Sequence, residues 1–459
     1  MIMMESKSRT SSCVILFSLL SFTLVQPVSG DGMIHTYDPD MKWWGLQGEG
    51  QQLCVINHED GVEHMILSVD ISDLHGEKAV WIFPVPAKPE ETVIDIIERF
   101  PRLWGYDVKE KAGEMISGAF TVMTLSQVYT FPFVFASYLA QQVAYLGPGI
   151  GEEEEAVAIH EHIEKMGLTT ELVTAEDAGA FHRYLTNKRL ELPYDSKSVL
   201  DEYIGQEYSF VVSWISDVEK FKEATTKTDR HGRPINTVGV FIAFPTERMY
   251  FPLKPTSVYG NKLIPILIYV MGHVTPEIYP EISRETHVDY FVERLYNVPG
   301  GLSYFFNGKT RIEDLKYTKI RIHTSSDYLT DDLWIRDSAP VDVVLAEFMS
   351  RQVWMWGPIL FAISSCLASV LAGSIIFRRE RLSKSKLALF GLWNLLTLVG
   401  FIVASIFFIH KKREREPEEE SRSQGTLDWQ SRKISFVFLF SIFFTIITFA
   451  SRIVLQSVF

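Results

Sequence analysis

The stretch Gln352–Phe377, QVWMWGPILFAISSCLASVLAGSIIF, contains 26 residues without a charged side chain and decides the architecture. A helix that crosses the hydrocarbon core of a bilayer needs about 20 consecutive apolar residues. Two later runs, 387–409 and 434–451, are 23 and 18 residues long and are also uncharged. The sequence therefore predicts a membrane protein with three C-terminal transmembrane helices, over about 352–377, 387–409 and 434–451.

The N-terminus has the pattern of a secretory signal peptide. Lys7 and Arg9 precede an apolar core, Cys13 to Val25, and Val28-Ser29-Gly30 supplies small residues at a cleavage site. Residues 1–30 are thus predicted as a signal peptide, 31–350 as an extracytoplasmic domain and 351–459 as the membrane domain. An uncleaved anchor is the alternative, and either form predicts a multi-pass protein of the cytoplasmic (plasma) membrane.

Loop charges agree with this topology only in part. Loop 378–386 carries five Lys and Arg, as expected of a cytoplasmic loop. With three crossings, however, loop 411–433 faces outward although it carries seven Lys and Arg. A further uncharged segment, 116–150, contains Pro132 and many polar residues, which favours a buried or membrane-resting segment over a fourth span.

Charge restricts the possible partners of the predicted extracytoplasmic domain. Residues 31–350 hold 49 Asp and Glu against 28 Lys and Arg, a formal charge of −21. Nucleic-acid binding requires a basic face, so we expect no nucleic-acid partner. Basic or cation-rich partners fit the acidic balance, although net charge governs association more than specificity.

The sequence of 31–350 predicts an α+β domain with a mainly antiparallel sheet. Asp60-Gly61 separates two strand-like runs and indicates a hairpin, and Trp81-Ile-Phe-Pro-Val-Pro86 is typical of a buried strand and its exit. Later strands are predicted over 208–215, 237–244, 263–271 and 317–322. Helices are predicted from Pro89 to about Phe100, from the capping motif Thr174-Ala-Glu-Asp177 to about Asn187, and from Asp195 or Ser196 to about Ile204.

Four segments together resemble an uncharacterised prokaryotic family of signal-bearing, often membrane-tethered proteins of unknown function. They are Trp81-Ile-Phe-Pro84-Val-Pro86, 167–175, Tyr208-Ser-Phe-Val-Val and Asp331-Asp-Leu-Trp-Ile335. The resemblance covers most of 45–340. It implies an extracytoplasmic domain and supplies no catalytic residues.

His160, His162 and Glu164 form the best candidate metal site. On a strand these three side chains share one face, and two imidazoles with one carboxylate are a plausible set of divalent-metal ligands. The apolar alternation around them favours a solvated strand face without a metal. Two weaker motifs have structural explanations: His58-Glu59…Glu63-His64 fits a hairpin with a His58–Glu63 cross-strand pair, and the phosphate-loop-like 303–310 fits a turn at Asn307-Gly308.

Ser365, Ser369 and Gly373 form a stripe of small residues along the first predicted span. Such a stripe permits close helix packing, either within the chain or in an oligomer. Neither the first nor the second span contains an ionisable residue, which disfavours ion-coupled transport. We therefore expect a non-enzymatic, membrane-anchored binding module without cofactor. The alternatives are a metal-dependent hydrolase centred on 160–164 and an accessory subunit that joins a membrane complex through this stripe.

Overall fold

The computed structural model describes residues 33–38, 43–46, 52–68, 78–125, 162–190, 192–225, 238–378, 383–393 and 424–457. The chain folds into two compact units. Unit 1 comprises 1–105 and 153–339, and unit 2 comprises 106–152 and 340–459. This division follows contacts and not cellular compartments, so the predicted boundaries at 30 and 350 stay predictions.

Unit 1 is an α+β unit with mainly antiparallel sheets, as predicted. One sheet has the order β2-β1-β5-β10-β9-β8, and a second contains β6-β11-β4-β3-β13-β16-β15. Within the second sheet β3 and β13 are parallel, whereas its other described pairs are antiparallel. A short third sheet has the order β12-β17-β14. These strands are β1 Met33–Asp38, β2 Trp43–Leu46, β3 Gln52–Glu59, β4 Val62–Ser68, β5 Lys78–Val85, β6 Val93–Ile97, β8 His162–Lys165, β9 Leu168–Val173, β10 Ser209–Ile215, β11 Gly239–Pro245, β12 Met249–Phe251, β13 Leu263–Met271, β14 Thr275–Pro276, β15 Thr286–Asn297, β16 Arg311–Ser325 and β17 Leu333–Arg336.

The two large sheets pack face to face. Trp81 and Phe83 of β5 lie in one apolar cluster with Cys54 and Ile56 of β3, and all four are essentially inaccessible to solvent. The predicted strand at 81–86 is therefore a core strand. Burial of this shared face, at roughly 25 cal/mol per Å² of apolar surface, is the main stabilising term for the unit.

Alternate residues of β5 and β10 face helices on the outer side of the first sheet. Val80 and Phe210 pack against Phe181 and Leu185 of α2, Ala178–Asn187, and against Leu200 of α3, Tyr194–Asp201. The predicted helix is present, but its cap is Asp177, which accepts a hydrogen bond from the Ala180 N–H at 2.7 Å, and not Thr174, the first residue of the predicted capping motif. A further helix of unit 1, here called α4, covers Val218–Thr225.

Two glycines of unit 1 have the same backbone conformation but different surroundings. Gly167 has φ +75°, and a Cβ there would lie 2.1 Å from the Asp217 carbonyl oxygen. Gly205 has φ +80°, and a Cβ there would meet no atom within 4 Å. Only Gly167 is required both by its conformation and by a close approach of the backbone.

The helix predicted from Pro89 to Phe100 is wrong. Only Pro89–Glu91 forms a single 3₁₀ turn, and the residues that follow form strand β6, paired antiparallel with β11. Val93, Ile94 and Ile97 fit a helical repeat. The β-branched side chains of Ile94 and Ile97 nevertheless lie in two different apolar clusters, on the two faces of a sheet.

Unit 2 is helical in its described part. A two-residue strand, β7 Tyr106–Asp107, precedes helix α1, Val108–Leu125. The remaining helices are α5 Val341–Arg351, α6 Val353–Ile376, α7 Lys384–Trp393 and α8 Gln424–Gln456. Lys109 of α1 and Asp342 of α5 form an ion pair, which ties these helices together at their first turns.

Two of these helices are long and apolar enough to cross a membrane. They are Val353–Ile376, with a mean hydropathy of 2.3, and Phe438–Gln456 within α8, with a mean hydropathy of 2.1. The third predicted span, 387–409, is described only as far as Trp393, and the predicted signal peptide lies outside the described residues. The first ten residues of the uncharged segment 116–150 belong to α1, and the rest is also outside them.

Candidate functional site

The predicted metal ligands fall mostly outside the described residues. His160 is not described, and neither is the side chain of His162, although that residue opens β8. Glu164 lies on β8 with an exposed side chain. Within the described ranges no group of three His, Cys, Asp or Glu residues is placed to hold a metal ion. The metal site at 160–164 stays a prediction.

The Asp60-Gly61 hairpin forms as predicted. Asp60 and Gly61 have φ values of 55° and 77°, and β3 and β4 pair antiparallel with His58 opposite Glu63. The side chains of these two residues nevertheless bind elsewhere. A ring nitrogen of His58 lies 2.9 Å from the Thr246 carbonyl oxygen, whereas Glu63 accepts the Tyr250 N–H at 2.7 Å.

Glu63 is an unusual carboxyl group because it is fully buried and only one of its two oxygens accepts a hydrogen bond from the described chain. Its exposed fraction is 0%, and its Oε1 has no hydrogen-bond partner in the described chain. Burial raises the pKa of Glu63 well above its ordinary value of 4.5, against the opposing effect of the Tyr250 N–H.

The phosphate-loop-like segment is a turn that serves the hairpin. Asn307 and Gly308 adopt positive φ values of 52° and 76°. The Asn307 amide and the Lys309 ammonium both donate to the carboxylate of Glu59, at 2.9 and 2.8 Å. The backbone N–H groups of Asn307, Gly308 and Lys309 donate to carbonyl oxygens of the same segment and so do not form a cradle for a phosphate.

The small-residue stripe of α6 packs against α7. The Ser369 hydroxyl donates to the Leu387 carbonyl oxygen at 2.6 Å. A Cβ at Gly373 would lie 2.4 Å from the Leu387 side chain, and one at Gly391 would lie 2.4 Å from the Ser365 carbonyl oxygen. The stripe therefore forms a contact within the chain, and a partner helix that used it would have to displace α7.

A carboxylate and a group of tyrosines form the most distinctive polar site of unit 1. Asp332 lies immediately before β17 and is partly exposed. It accepts hydrogen bonds from the hydroxyls of Tyr203 and Tyr250, each at 2.9 Å, and from the Lys254 N–H at 3.0 Å. Tyr203 follows α3, Tyr250 lies in β12 and Lys254 begins a 3₁₀ helix, so one side chain joins four elements.

Aromatic rings surround this carboxylate. The ring of Tyr208 lies 5.2 Å from that of Tyr203 and 6.2 Å from that of Tyr250, centroid to centroid. The ring of Trp334 lies 5.1 Å from that of Tyr250, centroid to centroid. The guanidinium of Arg248 lies over the Trp334 ring, 4.8 Å from its centroid. The faces of such rings carry partial negative charge and attract cations.

Among the residues that the structure describes, no basic side chain forms an ion pair with Asp332. The Lys254 ammonium is held 2.6 Å from Glu202. Burial raises the pKa of Asp332, against the hydrogen bonds from Lys254, Tyr250 and Tyr203 and the charge of Lys254, which lower it. Burial and the negative charge of Asp332 together raise the pKa of Tyr208 to about 12, so its hydroxyl stays protonated.

The chain matches no protein-family model, no curated protein and no solved structure. The resemblance of 45–340 to an uncharacterised family therefore rests on the four quoted segments alone. The chemistry available to the site follows from its own geometry.

The Asp332 site presents groups that can hold a cation, namely a carboxylate, hydroxyl donors and aromatic rings. Sequence reasoning did not find this site, because Tyr203, Tyr250 and Asp332 are far apart in the chain. The only local signal is an acidic pair, Asp331-Asp332, at the start of a strand.

Proposed function

We propose that this chain is a membrane-anchored extracytoplasmic binding module whose Asp332 site takes the cationic group of a ligand or partner protein. The observation that carries the proposal is the charge balance at Asp332. A partly exposed carboxylate accepts three hydrogen bonds and is surrounded by aromatic rings, yet it makes no ion pair with a basic side chain of the described chain. A bound ammonium or guanidinium group would supply the missing charge.

The membrane part of the proposal is supported by α6 and by the apolar part of α8. Both are long enough to span a bilayer, and the predicted signal peptide accounts for the export of unit 1. The third apolar run, 387–409, adds a further anchor in the predicted topology. The acidic composition of 31–350 agrees with a cationic ligand, although it does not select one.

Ligand binding to the full chain in lipid nanodiscs tests the Asp332 site. The probes are L-arginine, spermidine and tetramethylammonium, which present a guanidinium, primary and secondary amines, and a quaternary ammonium. We expect calorimetric titration to detect binding of at least one probe and Asp332→Asn to weaken it at least about tenfold, the loss of one charge-assisted contact. Asp331→Asn is the matched control, because the neighbouring Asp331 side chain is exposed. Equal affinities in the two variants, or no binding of any probe, would refute the site.

Crosslinking in the native membrane tests the module as a whole. A C-terminal affinity tag and mass spectrometry should recover a stoichiometric partner from the parent chain and less of it from Asp332→Asn. The hydrolase alternative makes a different prediction, namely one bound transition metal in full chain that was never exposed to chelator. Elemental analysis of the parent and of His162→Ala decides between them, because only a metal site at 160–164 would lose metal in that variant.

A further inference from the structure

We infer that unit 2 crosses the membrane twice and not three times, with α6 and α8 running in opposite directions. The residues after Gln456 then lie on the same side of the membrane as unit 1. This inference rests on the membrane anchoring proposed above, but it uses only contacts among the described helices of unit 2.

Two aromatic contacts fix the direction of α8 relative to α6. The ring of Phe377, at the end of α6, lies 5.6 Å from that of Phe436. The ring of Phe361, nearer the start of α6, lies 5.4 Å from that of Phe444. Moving back along α6 therefore means moving forward along α8, and the two helices are antiparallel.

Helix α1 marks the end of the pair where α8 finishes. Arg452, in the last turns of α8, donates to the Ser117 hydroxyl at 3.1 Å. Met115 and Ala119, on either side of Ser117 along α1, pack against Val353 at the start of α6. The end of α8 and the start of α6 thus lie at the same level, and the chain enters α6 there directly from α5.

Helix α7 also runs antiparallel to α6. Leu387, near the start of α7, contacts Gly373 and Ser369 of α6. One turn later along α7, Gly391 contacts Ser365 of α6. Because α7 and α8 both oppose α6, they are parallel to each other. Two parallel helices are not two successive crossings joined by a loop on one side of a membrane, so we count α6 and α8 as the two crossings.

This topology removes the conflict in the loop charges. The end of α6 leads into loop 378–386, with five Lys and Arg, and residues 411–433, with seven, extend into the first part of α8. An antiparallel pair places both segments on one side of the membrane. Cytoplasmic loops carry the excess of Lys and Arg in membrane proteins, so this side is the cytoplasm and unit 1 and the C-terminus lie outside.

Glycosylation mapping tests the topology cleanly, because the chain contains no Asn-x-Ser/Thr acceptor of its own. Lys309→Thr turns the exposed Asn307 into an acceptor and reports on unit 1. A short spacer-flanked Asn-Ser-Thr tag is placed after Glu418 in a second variant and after Phe459 in a third. Each full chain is translated into microsomes, and a mobility shift that endoglycosidase H reverses marks the lumenal side.

We expect the Lys309→Thr and C-terminal variants to be glycosylated and the Glu418 variant to remain unmodified. A modified Glu418 variant with an unmodified C-terminal tag would restore three crossings and overturn the inference, as would disagreement between the Lys309→Thr and C-terminal variants. Alkaline carbonate extraction of the same microsomes separates the two proposals. If the chain is extracted, membrane anchoring itself fails, whereas a retained chain with the opposite pattern refutes only the two-crossing topology.

Discussion

Replacing Glu63 by Gln should stabilise unit 1 at neutral pH. The parent carboxyl is fully buried, and within the described part of the chain it accepts one hydrogen bond, from the Tyr250 N–H. Glutamine keeps an acceptor for that N–H and imitates the protonated acid. Since burial raises the folded pKa well above 4.5, the parent gains stability from this group below pH 4.5 and loses it as the pH rises towards the folded pKa.

The size of the effect follows from proton linkage. Each pH unit between the ordinary pKa of 4.5 and the pH of the measurement costs the parent about 1.4 kcal/mol, as long as the folded carboxyl remains protonated. The variant should therefore gain up to about 4 kcal/mol at pH 7.5 but only about 1 kcal/mol at pH 5.5. At roughly 2 °C per kcal/mol, the midpoint of thermal unfolding should rise by more at pH 7.5 than at pH 5.5, with about 8 °C and about 2 °C as the largest rises that linkage allows.

The assay is thermal unfolding of the detergent-solubilised full chain at both pH values, followed by tryptophan fluorescence. Glu247→Gln removes an exposed carboxylate from the neighbouring turn and serves as the control, for which we expect no change at either pH. A gain for Glu63→Gln that is the same at pH 5.5 and pH 7.5 would refute the reasoning, because it could not come from protonation. A loss of stability at pH 7.5 would show that the buried group is charged and compensated.

Three further substitutions test the packing described above, each by the midpoint of thermal or chemical unfolding. Gly167→Ala should cost more than about 3 kcal/mol because of its positive φ and the backbone overlap, whereas Gly205→Ala, with the same φ in open space, should cost about 1–2 kcal/mol. A similar cost for both would mean that the overlap is relieved. Gly373→Ala should lower stability by about 1–3 kcal/mol by forcing α7 from α6, and Gly357→Ala, whose Cβ would meet no atom within 4 Å, should not; equal effects would exclude that contact as the cause. Asp177→Ala should cost about 1 kcal/mol through loss of the cap of α2, and Asp177→Asn should restore most of it; failure of Asn to do so would point to charge instead of capping.

The sequence predicted the elements that are specified by a few neighbouring residues. Asp60-Gly61 specifies its hairpin through positive φ values, and Asp177 specifies the start of α2 through its side chain. The same reasoning failed at 93–97, where β-branched residues fit two periodicities and pairing with β11 decided for the strand. Hydropathy located α6 and the apolar part of α8 but carried no information on their relative direction.

Long-range assembly could not be predicted from the sequence. The Asp332 site gathers Tyr203, Tyr250 and Lys254 from separate elements, and no spacing rule joins them. The grouping of α1 with the C-terminal helices is hidden for the same reason. Its partner Arg452 stands more than three hundred positions away from Ser117.

The order in which the chain visits its two units determines how unit 1 could be separated from unit 2. The backbone passes between the units at 105–106, 152–153 and 339–340. A protease that cut only at 339–340 would leave unit 1 covalently attached to α1, which is itself held at Arg452 and Val353. Separation of the intact unit thus requires cleavage at all three junctions, and a single nick should leave unit 1 attached to unit 2.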